Sequence, residues 1–278
     1  MGSLLLAVMA NTIMIFSMKF SEAADTHRQS VVFLNYVFGT VMAIFLCRDL
    51  GSMNLCSQET LIPLGLGLFN AILMAACMLI QQHSINFNGA GLTTTYNRLG
   101  VLIPTLLSVF LFQEYPTALK ICGIGLSVTA IGYSYEKTGE AKKNYVLLSL
   151  VLIIGGMIDF NSKLLGILSP VEMKSVYTIS TFFIAAILMA AIVICGKIPI
   201  NRKDMKYGAL IGIPNICITF GMVSASANLP AYIVFPAYSG GVILLVNIID
   251  ELYLKERLSK RERIATAMIA FSLVLINL

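Results

Sequence analysis

Charge is what this sequence has least of. Of 278 residues, 12% are Asp, Glu, Lys or Arg, 58% are hydrophobic, and mean hydropathy is +0.85. A soluble fold carries about 25% charged residues. So little polar surface cannot cover a chain of this size in water, which excludes a soluble globular protein and makes lipid its solvent. Trp is absent and His occurs twice. The six Cys (Cys47, Cys56, Cys77, Cys122, Cys195 and Cys217) have no C-x-x-C spacing and mostly fall in or beside apolar runs. They read as small packing residues, and neither a metal centre nor a disulfide framework is expected.

Other absences narrow the function. No G-x-x-x-x-G-K-[ST] is present, so no built-in ATP drive is expected. No H-E-x-x-H occurs, and Asp159 and Asp250 lack the sequence contexts of intramembrane aspartyl proteases. The net charge of +5 comes from residues dispersed over short connections, without the dense basic surface that nucleic-acid binding needs. No cofactor is expected, and the chain does not read as an enzyme.

What is present is a succession of apolar runs, at 3–18, 29–47, 60–82, 90–112, 117–135, 145–167, 174–196, 206–227, 230–251 and 263–278. At about 20 residues per crossing these predict ten transmembrane helices. Helix is the conformation that pairs every backbone group within its own segment in hydrocarbon. The first run lacks a basic leading region and is read as a span rather than a cleaved signal. The tightest connections, around Glu114–Pro116 and Leu229–Pro230, require antiparallel neighbours. Pro104, Pro214 and Pro236 fall inside spans, where they loosen the backbone ladder.

The second half repeats the first. At an offset near 145, Gly67 and Asn70 fall on Gly212 and Asn215, so GLFN in span three answers GIPN in span eight. Lys19 falls on Lys163 at 144; Ala43, Ile44 and Cys47 fall on Ala191, Ile192 and Cys195 at 148; Tyr96 and Glu114 fall on Tyr238 and Glu256 at 142. Two repeats follow, 1–140 and 141–278, of five spans each. Because five is odd, the second must enter from the opposite side. Such inverted repeats recur in secondary transporters, with the substrate near the midplane between the halves.

Two stretches carry a family likeness: YNRLGVLIPTLLSVFLFQEYPTALKICGIG (96–125) and AYIVFPAYSGGVILLVNIIDELYLKERLSKRERI (231–264). They resemble the closing elements of the two halves in EamA-type members of the drug/metabolite transporter superfamily. The family pattern there is Gly-Glu, then Pro/Leu-Thr/Ser, then Gln and Gly. Glu114 and Glu256 match the Glu; Pro116-Thr117 and Leu258-Ser259 match the next pair; Gly123 is kept. Gln113 and Lys255 replace the first Gly, Lys120 and Glu262 the Gln, and Ala265 the second Gly. The resemblance implies a ten-helix 5+5 fold that moves small molecules such as amino acids and other metabolites, without naming the substrate. It also implies cytoplasmic termini. Lys and Arg, concentrated after odd-numbered spans, instead place both termini outside by the positive-inside rule. The orientation stays open between the two.

Charged groups within spans cost at least about 2.5–3.5 kcal/mol at the bilayer centre, so each needs a reason. Arg98 shares a face of span four with Gly91, Thr94 and Thr105. It reads either as a carboxylate contact or as a structural or snorkelling Arg. Asp159 has Lys163 one turn on, which is either a self-neutralising pair or a protonatable carboxylate with a cation nearby. Asp250 ends span nine, as a second proton-coupling candidate or a solvated acid. Asn70 and Asn215 read as helix glue or as cavity lining. Asn11, Tyr96, Asn97, Tyr232, Tyr238 and Ser239 complete the substrate-binding candidates. His83, at a span end, reads as an interfacial polar residue.

The expectation is therefore a multi-pass protein of the plasma or inner membrane. It moves a small polar metabolite, an amino acid or related compound, across the membrane by alternating access, coupled to protons or by exchange. Lipid and the substrate are its partners, nucleic acid is not, and a homodimer is compatible. A non-transporting intramembrane enzyme or scaffold, or a channel, is the alternative.

Overall fold

A computed structural model describes residues 2–46, 58–88, 90–134, 144–170, 173–252 and 260–277. The described residues form eleven helical segments and no strand: α1 (Gly2–Ala23), α2 (Arg28–Leu46), α3 (Gln58–Asn88), α4 (Ala90–Leu99), α5 (Leu102–Phe112), α6 (Ala118–Ser134), α7 (Tyr145–Leu168), α8 (Lys174–Cys195), α9 (Arg202–Asn228), α10 (Ala231–Leu252) and α11 (Lys260–Asn277). Eight segments are long and apolar enough to cross a membrane, α4 and α5 counting together over Thr95–Phe112; Ala118–Tyr133 and Arg263–Ile276 are shorter apolar helices. Large side chains such as Phe45, Phe110, Val146 and Ile194 stand out from the protein at more than two-thirds exposure. Water would penalise such a surface and acyl chains would not, so the chain is an all-helical, multi-pass membrane protein.

Span three is longer than the apolar run, reaching Asn88, and the run at 90–112 is broken. Pro104 has no N–H to give the Gly100 carbonyl, and the Ile103 N–H takes that carbonyl instead at 2.9 Å. Upstream, the Gly100 N–H donates to Asn97 at 3.1 Å, and that of Val101 to Arg98 at 3.3 Å. The chain therefore tightens at Gly100–Val101 and separates α4 from α5.

Two compact units are present, and each takes helices from both sequence halves. The first comprises Met1–Ala75 and Leu164–Ala227. In it α2 lies along α8, with Tyr36 edge-on to Phe182 at 6.0 Å between ring centroids. The Ser30 hydroxyl donates to the Pro199 carbonyl at 2.8 Å, so the start of α2 meets the end of α8 and the two run antiparallel. Glycines set the remaining crossings. A Cβ on Gly212 of α9 would stand 2.6 Å from the Asn35 carbonyl of α2, and one on Gly67 of α3 would meet Ser180 and the Tyr177 carbonyl of α8. Gly67 and Gly212 are the positions that the sequence offset aligns. Small residues at such points let backbones approach where lipid supplies no hydrophobic drive.

The second unit comprises Ala76–Lys163 and Asn228–Leu278. Here α6 packs along α11. Gly123, early in α6, abuts Ile276 at the end of α11, whereas Ala130 and Ile131 cluster with Ala265 and Ile269 at its beginning, joined by Ile243 of α10. These helices also run antiparallel. The break after α4 sits on α7: a Cβ on Gly156 would lie 2.5 Å from the Gly100 carbonyl, and one on Gly155 would meet the Asn97 side chain.

Candidate functional site

The break between α4 and α5 places three sequence candidates in the second unit. Asn97 fits over Gly155 of α7, so its side chain packs at a helix crossing. Arg98 is partly buried, and its guanidinium is within electrostatic reach of Tyr238 on α10. Among the described residues no carboxylate lies within ion-pairing distance of Arg98. Asp159 follows one turn after Gly155 on α7. It too has no cation or hydrogen-bond donor within bonding distance among the described residues, and the Cys77 thiol of α3 is within its electrostatic reach. One unit thus holds a guanidinium and a carboxylate on crossing helices, each without an opposite charge within bonding distance among the described residues, together with a tyrosine.

Lys163 does not spend its charge as the sequence spacing suggests. Its ammonium pairs with Glu114, in the α5–α6 connection, at 2.7 Å. It also donates to the Leu229 carbonyl at 3.1 Å, while the other Glu114 oxygen accepts the Ala231 N–H at 2.7 Å. The pair thereby serves both sides of the turn that opens α10: a cation on the last carbonyls before it, and an anion at the positive end of the new helix. Gln113 adopts φ 55° and ψ 31°, the left-handed conformation that closes α5. A glycine takes that conformation at no steric cost, which gives a physical reason for the Gly in the resembled pattern.

The other candidates are placed as follows. Asn215 donates to Asn35 of α2 at 3.2 Å and joins two helices. Asn70 is buried and donates weakly to the Met74 sulfur at 3.6 Å; its Oδ1 has no hydrogen-bond partner among the described residues. The two asparagines that the sequence offset aligns therefore have different surroundings. Asn11 is half-buried on α1 and Tyr96 half-buried on α4. Tyr232 lies under the Lys120 ammonium at 5.8 Å, between the starts of α6 and α10. Ser239 is buried on α10, next to Tyr238. Asp250 is half-buried near the end of α10, where the adjacent Glu251 forms an exposed pair with Arg263 at 3.0 Å. His83 is exposed. The surroundings of Gly91, the Thr94 side chain and the motif residues Glu256, Leu258 and Ser259 lie outside what is described.

Two features escaped the sequence reading. Asn35 was hidden in an apolar run, although it is the one Asn in 29–47. Asp204, fully buried, accepts the backbone N–H groups of His27 at 2.9 Å and Asn201 at 2.8 Å and meets the His27 ring at 3.2 Å. It ties the α1–α2 and α8–α9 connections together. His27 and Asp204 lie in connections between apolar runs, and no spacing links them across 177 positions.

No protein-family model matches the sequence. Over 271 residues the chain is 21% identical to an uncharacterised protein of Haemophilus influenzae, covering 94% of this chain and 92% of that protein. A crystal structure of a protein superposes on it with a TM-score of 0.77 at 12% identity, covering 98% of this chain and 94% of the other. The chain shares its fold with that structure.

Proposed function

We propose that the protein is a secondary transporter of a small, carboxylate-bearing polar metabolite, an amino acid or a related compound, working by alternating access in the manner of the drug/metabolite transporter superfamily. The observation that carries this reading is Arg98: an intramembrane guanidinium within electrostatic reach of Tyr238 and lacking any carboxylate partner among the described residues. An ionisable residue kept inside a membrane at such cost marks a substrate or ion pathway by default. Guanidinium binds carboxylate through a planar fork of donors. Asp159 supplies a protonatable group on the neighbouring helix, suited to coupling. The broken α4–α5 helix adds support, since discontinuous helices line midplane sites in transporters.

The ten-crossing inverted repeat has its own support. With α4 and α5 as one crossing and the two shorter helices included, the spans number ten. Connections that meet then share parity. The α1–α2 connection meets α8–α9 through Asp204, Asn88 at the end of α3 meets Asn144 before α7, and Glu114 after α5 meets Ala231 at the start of α10. Repeat counterparts also pack antiparallel on one another, α2 on α8 and α6 on α11, as a two-fold axis in the membrane plane requires.

A thermal-shift panel in detergent tests the substrate class. Ligands that bind the folded state raise its apparent stability. Amino acids and other carboxylates should shift the transition, and their amide or decarboxylated analogues should not. Equal response to both sets would remove Arg98 from the site. An intramembrane enzyme or scaffold would be favoured if no member of the panel bound.

A further inference from the structure

We propose that Lys163 exchanges its carboxylate partner between Glu114 and Asp159 during the transport cycle, so that the charge on Asp159 decides whether the first turn of α10 is held or released. The inference rests on the transport reading above for its role in the cycle, and on geometry for its existence.

Lys163 has two carboxylates available. Glu114 is bound at 2.7 Å. Asp159 is four residues earlier on α7, and side chains at that separation are neighbours on a helix surface. Asp159 holds no cation among the described residues. The present structure is thus one of two pairings that the same lysine can make without moving its helix. A buried ammonium strongly disfavours being left alone, so leaving Glu114 requires arrival at Asp159.

The exchange has a mechanical consequence. In the observed pairing, Lys163 supports the Leu229 carbonyl, and Glu114 holds the Ala231 N–H. Departure of Lys163 strips the Leu229 carbonyl of this donor and Glu114 of its counter-charge. The turn before α10 loosens, and α10 carries Tyr238, which is within electrostatic reach of Arg98. A proton on Asp159 removes its claim on Lys163 and keeps the turn closed; loss of that proton makes Asp159 a competitor. Among the described residues, the Cys77 thiol on α3 is within electrostatic reach of Asp159, and Arg98 lies on α4, the helix that packs on α7 through Asn97. Neither replaces Lys163 as the cation shared with Glu114.

Backbone amide exchange across 229–234, measured on the purified protein in nanodiscs without substrate, tests the proposal. After correction for intrinsic exchange, the wild-type turn should open more in mildly alkaline than in mildly acidic buffer. Asp159→Asn should abolish that difference and keep the turn closed throughout. Glu114→Gln should raise exchange at least about tenfold in both buffers, since a local opening equilibrium follows the contacts that close it. Should Glu114→Gln fail to fold, Asp159→Asn decides alone. If its exchange tracks wild type in both buffers, Lys163 and Glu114 form a fixed pair and the proposal falls. Because no substrate enters the measurement, a protein that shows this behaviour yet moves nothing across liposomes would overturn the transport reading and leave the partner exchange standing.

Discussion

Lys163 and Glu114 are joined at 2.7 Å with side-chain exposures of 5% and 19%, whereas Arg263 and Glu251, joined at 3.0 Å, are 56% and 43% exposed. The two pairs look alike as distances and differ as energies. Removing one partner of a buried pair strands a desolvated charge.

Glu114→Ala should therefore lower stability by roughly 3 kcal/mol, while Arg263→Ala should cost under about 1 kcal/mol. Thermal inactivation of the two variants in the same detergent measures the difference. Equal loss would mean that Glu114 is solvated in the membrane-embedded protein.

Gln113→Gly should stabilise the protein by about 1 kcal/mol. The left-handed conformation costs a residue with a Cβ about 1–2 kcal/mol, part of which glycine returns through its greater freedom when unfolded. Gln113→Val, β-branched at the same φ of 55°, should destabilise. The same thermal assay reads both, and a Val variant as stable as wild type would contradict the left-handed assignment.

Gly156→Ala should cost about 1–3 kcal/mol, because its Cβ would press on the Gly100 backbone, which cannot rotate away. Gly125→Ala, where a Cβ would meet nothing within 4 Å, should be neutral or gain about 0.5–1 kcal/mol. The yield of monodisperse protein and its inactivation temperature separate them. A tolerated Gly156→Ala would argue against the close α7 crossing at the α4–α5 break.

The apolar runs made the helices legible in outline, since lipid leaves each span one way to pair its backbone. Local effects were less readable. Pro104 was visible in the sequence, but the break it leaves at Gly100–Val101 depends on α7 presenting Gly155 and Gly156 to it. Spacing offered Asp159 as the partner of Lys163, and the structure supplies Glu114, a residue 49 positions earlier that no helical period connects. Asn70 and Asn215 matched as repeat counterparts, yet only Asn215 found a neighbouring Asn. Gly67 and Gly212, which the sequence aligns, both fall at helix crossings. The interleaving of the halves in each compact unit was not, because it is decided by contacts between segments far apart in the chain.

Asp159→Asn should abolish uptake driven by a pH gradient while sparing exchange of labelled for unlabelled substrate, since exchange needs no net proton movement. Unchanged pH dependence would remove Asp159 from coupling and leave Asp250 as the remaining candidate.

Arg98 is where the account is most exposed to test. Reconstituted into liposomes preloaded with unlabelled amino acids, the wild-type protein should accumulate a labelled carboxylate-bearing member by saturable countertransport. Arg98→Lys keeps the charge but loses the planar fork, and should raise the half-saturating concentration by at least about tenfold, a loss of roughly 1.4 kcal/mol of binding, with the amount of folded protein unchanged. Wild-type protein that accumulates no member of the panel, or Arg98→Lys that transports as well as wild type, would contradict the account.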